Sequence, residues 1–99
     1  MAAADAIIAD AFVAERRAEG FQEFLERDLP PGAGLEEHSH PFDAQGLVLE
    51  GRFTVASAAG LQDCGPGQAF ALGSGVPHTE AAGPDGARLL IARRHPAAG

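Results

Sequence analysis

Three of the four histidines stand where they could share one cation. His38 and His40 are separated only by Ser39, and His78 closes a second segment, Gly73-Ser74-Gly75-Val76-Pro77-His78. In an extended strand, residues two apart face the same side, so His38 and His40 present two imidazoles to one volume, as a metal ion requires; a helix would separate them. A lone His-x-His carries little weight, because histidines so spaced also occur as surface or hydrogen-bonded residues. Its surroundings raise it: a Pro-Pro-Gly turn at Pro30-Pro31-Gly32 before the pair, Pro41 after it, Gly46 to Gly51 downstream, and the segment ending at His78. His95 precedes Pro96 in an Ala-Gly tail with no partner spacing and is read as solvated. Cys64, beside a turn and without a second cysteine or a basic neighbourhood, is read as structural or incidental.

Such imidazoles need β segments to position them, and the chain supplies these after Gly20. Short apolar runs alternate with Gly, Pro and Asp turns, the spacing expected of an antiparallel sandwich or barrel. Strands are expected at Phe21–Leu29, Leu35–His40, Gly46–Glu50, Arg52–Ala56, Ala69–Leu72, His78–Ala81 and Arg88–Arg93, with a short one at Leu61–Cys64. Turns are expected at Glu50-Gly51, Gly65-Pro66-Gly67, Gly73-Ser74-Gly75 and Gly83-Pro84-Asp85-Gly86. Residues 2–19 lack Gly and Pro, are rich in Ala, and end at Gly20, which reads as one helix with a glycine stop. Asp5 is its expected N-cap, and Ile7, Ile8, Ala11 and Phe12 its apolar stripe. The resulting organisation is a helix over 1–20 packed on a single β domain over 21–95, with a flexible tail at 96–99.

Ninety-nine residues leave room for one domain. Trp and Tyr are absent, so six Phe with Leu, Ile and Val must supply the bulk of a thin core. Phe42, Leu47, Leu49, Phe53, Phe70, Leu89 and Ile91 are read as plain core rather than as pocket walls. A formal charge of −7 with only seven Lys and Arg argues against nucleic acid as a partner. No stretch approaches membrane-spanning length, and a single cysteine with no secretory signal fits a reducing cytoplasm.

With these segments in order, the chain resembles the cupin superfamily. His38-Ser39-His40-Pro41-Phe42-Asp43-Ala44-Gln45 followed by Leu47-Val48-Leu49-Glu50-Gly51 looks like the first cupin motif, with Gly34 closer to His38 than the pattern asks. Gly67, Gly73-Ser74-Gly75 and His78 look like the second, with Gly73 in place of the usual proline and Ala82 in place of the terminal asparagine. The likeness covers roughly residues 32 to 94 and implies an all-β, cupin-type double-stranded β-helix, a jelly-roll barrel with a short N-terminal helix. It also implies one divalent transition metal, Fe, Mn, Ni, Co or Zn. The family glutamate is missing: the three-residue spacing lands on Ala44 and the four-residue spacing on Gln45. Some small cupins, resembling the pectin-degradation barrels, carry glutamine after the four-residue gap, so the resemblance implies a ligand set of His38, His40, Gln45 and His78. Asp43 is the competitor, but it has neither family spacing and its strand parity opposes that of the histidines.

Three neutral imidazoles and a carboxamide would leave the double positive charge of the ion uncompensated, so the site should favour a small anionic, oxygen-rich ligand. Arg88 and Arg93 are the basic residues that could draw it in. Two functions remain open: a metal-dependent enzyme of isomerase, lyase or dioxygenase type, and a non-catalytic metal- or ligand-binding module. A barrel with exposed strand edges is expected to pair as a homodimer. Light scattering should give twice the chain mass of 10.1 kDa, and a monomer would refute this.

Overall fold

The structure, a computed structural model, describes residues 3–96, with side chains from residue 6. One helix, α1 (Ala3–Ala18), precedes six strands: β1 (Glu23–Leu29), β2 (Gly34–His38), β3 (Asp43–Ser57), β4 (Gly60–Cys64), β5 (Ala69–Leu72) and β6 (His78–Arg94). Two of the strands are long and bent, and they organise everything else. β3 and β6 pair antiparallel along almost their whole length, from Asp43 opposite Arg94 to Ser57 opposite His78, with register shifts between Val48 and Glu50 and between Gly51 and Phe53.

The bend divides the sheet into two leaves of four segments. In one, β1 lies beside residues 87–94 of β6, then 43–51 of β3, then β5. In the other, β2 lies beside residues 78–82 of β6, then 53–57 of β3, then β4. The leaves face one another across a core that includes Val48, Phe53, Val55, Phe70, Leu89 and Ile91. This is the expected jelly-roll barrel, of cupin type.

The sequence reading placed turns at Glu50-Gly51 and Gly83-Pro84-Asp85-Gly86, and here the structure differs. Both segments lie inside strands: Gly51 pairs with Ala87 and Phe53 with Ala82, so residues 83–86 bulge out opposite Arg52 and the chain does not reverse. Turn chemistry bends a strand instead of ending it when pairing resumes on the far side. Gly51 and Gly86 meet at this corner with φ of 79° and 83°. A Cβ on Gly51 would land on the Gly86 carbonyl, and one on Gly86 would press on the Leu29 carbonyl.

Helix α1 covers the outer face of the first leaf. Its end is a glycine stop of Schellman type: Phe21 N–H donates to the Arg16 carbonyl, Gly20 N–H donates to that of Arg17, and Gly20 has φ 92°. Phe12 is the residue it buries, in a second apolar cluster with Phe21, Leu47, Leu49 and Ala92. Leu47 and Leu49 therefore serve the helix seam and not the barrel interior. The expected stripe also needs correction, because Ile7 and Ile8 are 68% and 42% exposed; Phe12 and Ala9 carry the contact. Asp5, the expected N-cap, falls inside the described helix, Ala3–Ala18. Of the expected tail, residues 97–99 lie outside the described residues.

Gly51→Ala tests the corner. It combines a left-handed φ with a backbone collision, and should cost at least about 2 kcal/mol in chemical denaturation. An unchanged midpoint would mean that the bend is not held here.

Candidate metal centre

Strand parity decides which side chains enter the barrel. His78 and Glu80 sit two apart on β6, so both point inward, and His38 on β2 pairs directly with His78. His40 follows just after β2, where its carbonyl accepts the Gly75 N–H at 2.8 Å. The three imidazoles converge, with ring centroids 4.8 Å apart for His38 and His40, 4.4 Å for His38 and His78, and 5.3 Å for His40 and His78. One potential ligand atom from each of His38, His40, His78 and Glu80 falls within a group no more than 4.8 Å across.

The hydrogen bonds assign the ring nitrogens. His38 Nδ1 lies 2.7 Å from the Glu36 carbonyl oxygen and His78 Nδ1 lies 2.9 Å from that of Val76. A carbonyl only accepts, so both Nδ1 atoms carry the proton, and in the neutral rings both Nε2 atoms present lone pairs. Yet those two Nε2 atoms lie 2.9 and 3.0 Å from the same carboxylate oxygen, Glu80 Oε2. Three acceptors thus meet at one point. Only positive charge between them, as protons or as a metal cation, makes the arrangement attractive. Metal bonds of about 2.0–2.2 Å set neighbouring ligand atoms roughly 2.8–3.6 Å apart, so the observed separations suit a cation as well as they suit protons.

His78 is only 1% exposed and is the one buried polar residue among the described residues. Burial lowers the pKa of His40 below its ordinary value, with the neighbouring His38 and His78 adding to the effect, so His40 is held toward the neutral form that can ligate. Its ring stacks on Phe42 at 4.9 Å and 14°. Arg27 Nη1 stands 3.9 Å from the other Glu80 oxygen.

Gln45 is not brought to this cluster. The inward residue of that turn of sequence is Ala44, which pairs with Leu72 and Arg93, whereas Gln45 faces the helix and its Oε1 accepts a hydrogen bond from Arg16 Nη1 at 3.0 Å. A one-residue shift in spacing moves a strand side chain to the opposite face, which is why the four-residue reading fails. Asp43 is committed elsewhere: it accepts from Arg94 Nη2 at 2.8 Å and from the Ser74 N–H at 2.9 Å, and these bonds hold its carboxyl below the usual carboxylate range. Glu80 was missed, although its signal was present: His78-Thr79-Glu80 repeats the two-residue spacing of His38-Ser39-His40. His95 is also better anchored than expected, with Nε2 3.2 Å from Glu23 Oε1, but it stays half exposed and outside the cluster.

The cluster borders a cavity of about 70 Å³ walled by Phe42, Ala44, Phe70, Leu72 and Ile91. Arg27 and Arg93 also line it, while Arg88 lies away, facing Glu26 and Asp28 at 3.5 and 4.0 Å. Two wider concavities, of about 370 and 460 Å³, occur around Arg94 and around Ser57. Neither contains the converging imidazoles, so the chemistry belongs to the smaller cavity.

Comparison with known proteins agrees with this framework. A cupin domain family model matches residues 25–92, and the chain belongs to that family. No curated protein matches. Among solved structures, a protein of unknown function from Rhizobium leguminosarum superposes with TM-score 0.70 at 23% identity, over 74% of this chain and 69% of that one. An RmlC-like cupin from Shewanella frigidimarina gives 0.65 at 22%, over 75% and 66%. A Bacillus subtilis oxalate decarboxylase gives 0.64 at 27%, over 84% of this chain but only 23% of that much longer one.

Gln45→Ala separates the two faces of β3. It should cost about 1–2 kcal/mol of stability in urea unfolding, because Arg16 Nη1 loses its acceptor while Nη2 keeps Glu15 and Glu19. A stability equal to the parent's would contradict the assignment of Gln45 to the helix seam.

Proposed function

We propose that this cupin holds one divalent transition metal through His38, His40, His78 and Glu80 and uses it on a small anionic, oxygen-rich metabolite. The observation that carries this reading is the meeting of two imidazole lone pairs and a carboxylate oxygen at one point, with each Nδ1–H already given to a backbone carbonyl. The backbone carbonyls orient His38 and His78, Phe42 fixes the plane of His40, and Arg27 stands behind Glu80. When bound, the metal would supply a Lewis acid able to stabilise negative charge on a ligand oxygen. Imidazole with one carboxylate suits Fe, Mn, Ni, Co and Zn alike. The likeness to an oxalate decarboxylase whose Mn(II) centres have been characterised supports including manganese.

Glu80 changes the electrostatics expected from a carboxamide ligand, because one carboxylate offsets half of the ion's formal charge. The case for an anion then rests on the guanidinium groups of Arg27 and Arg93 at the cavity. The ligand is small, since the enclosed space is far below the roughly 300–1,000 Å³ of drug-sized sites. A second reading, a binding module without turnover, is favoured by one specific feature. Apart from His38, His40 and Glu80, the cavity is lined by no group among the described residues that could act as a general base.

Elemental analysis of protein purified without a histidine tag should give one metal per chain. His78→Ala and Glu80→Ala should each lose most of it, while Gln45→Ala keeps it; full metal content in His78→Ala would refute the centre. Assays of the loaded protein on unsaturated uronates, keto acids and catechol-like compounds, under air and under nitrogen, then separate the readings. Turnover that requires oxygen selects a dioxygenase, turnover without it an isomerase or lyase, and inactivity with bound metal the binding module.

A further inference from the structure

Arg93 is the group on the cavity wall that keeps a buried nitrogen without a hydrogen-bond partner among the described residues. It lies on β6 with an inward parity shared by Leu89 and Ile91, opposite Ala44 of β3, and its side chain is 29% exposed. Its guanidinium sits 4.9 Å over the Phe42 ring, and that same ring stacks on His40, so arginine, phenylalanine and histidine form one continuous stack at the mouth of the site. Nη1 donates to Glu23 Oε1 at 3.3 Å, but that oxygen is also 3.2 Å from His95 Nε2. The buried, unpartnered nitrogen is Nε.

The small side chain at 44 matters here. The family spacing places an acidic ligand at this inward position, directly across the ladder from Arg93, and a carboxylate there would pair with the guanidinium. Alanine leaves that side of Arg93 facing the cavity, and the one carboxylate lining the cavity among the described residues, Glu80, lies 3.9 Å from Arg27. A planar guanidinium placed over an aromatic ring is suited to a planar, two-oxygen anion.

We propose that Arg93 is the specificity-determining residue of the site and selects small carboxylates, taking the ligand's carboxylate from the wall opposite the histidines while a second oxygen of the ligand faces the cluster. This rests on the metal-site reading above and adds to it the ligand class and the residue that chooses it. The pairing needs no bond making or breaking and no co-reactant.

The test is calorimetric and needs no turnover. Protein loaded with Co(II), its metal content measured by elemental analysis, is titrated with pyruvate, with the uncharged methyl pyruvate, and with inorganic phosphate. Pyruvate should bind at least about tenfold more tightly than either of the others. Arg93→Gln should weaken pyruvate about tenfold or more without changing the cobalt content, and Arg93→Lys should recover part of the loss. Glu23→Gln, which removes the competing carboxylate, should tighten pyruvate binding; a gain of affinity cannot come from misfolding. Unaltered pyruvate affinity in metal-replete Arg93→Gln overturns the proposal, as does equal binding of the methyl ester or of phosphate by the parent. Failure of the parent protein to take up cobalt would instead show in the elemental analysis, and would count against the metal centre itself.

Discussion

The interior of this barrel turns on one carboxylate oxygen, Glu80 Oε2, placed 2.9 and 3.0 Å from two imidazole nitrogens that, in their neutral form, can only accept. Groups of that kind repel unless positive charge lies among them, and inside a protein the repulsion is strengthened by the low dielectric. The backbone removes the easiest escape. Because Glu36 and Val76 carbonyls fix the Nδ1 protons, neither ring can turn its N–H toward Glu80 without abandoning a hydrogen bond of 2.7 or 2.9 Å. The arrangement of hydrogen bonds therefore calls for a shared proton or a metal among these three atoms, independently of any family likeness.

The frame that imposes this geometry is the bent pair β3 and β6. Each strand serves both leaves, so one continuous β6 delivers His78 and Glu80 to one wall and Arg93 to the other. Gly51 and Gly86 make the bend possible by letting two backbones approach where any Cβ would collide. Phe53 and Phe70, with ring centroids 5.0 Å apart, fill the space between the leaves. Gly46 belongs to the same fit, because a Cβ there would strike the Phe70 ring. The cavity survives at the end of the barrel where Ala44 stands in place of a larger side chain.

Much of this could be read from the chain before any coordinates. The His38–His40 pair and His78 were identified by spacing and by resemblance, and the structure brings all three together. The glycine stop at Gly20 was legible because the sequence local to a helix end determines its geometry. What could not be read were facts of parity and pairing. Ala44 and Gln45 are adjacent, and only the register of β3 against β5 and β6 tells which one faces inward. Gly83-Pro84-Asp85-Gly86 has the composition of a turn, and only the resumed pairing of Ala87 with Gly51 reveals a bulge. Ile7 and Ile8 have the right character for a buried stripe, but helix α1 docks through Phe12 and Arg16 because those residues find Leu47, Leu49 and Gln45 beneath them. Glu80 is the instructive case: the strand spacing that links His38 to His40 also links it to His78, but it stands apart from the motif position where the family carries its glutamate.

The most direct measurement is a crystal structure of the metal-loaded protein with anomalous scattering recorded at the absorption edge of the bound element. The account predicts a single strong anomalous peak within about 2.0–2.2 Å of nitrogens from His38, His40 and His78 and of a Glu80 oxygen, with Gln45 still on Arg16. A peak ligated by Gln45, or an interior with no peak and the same His–Glu contacts, would contradict it.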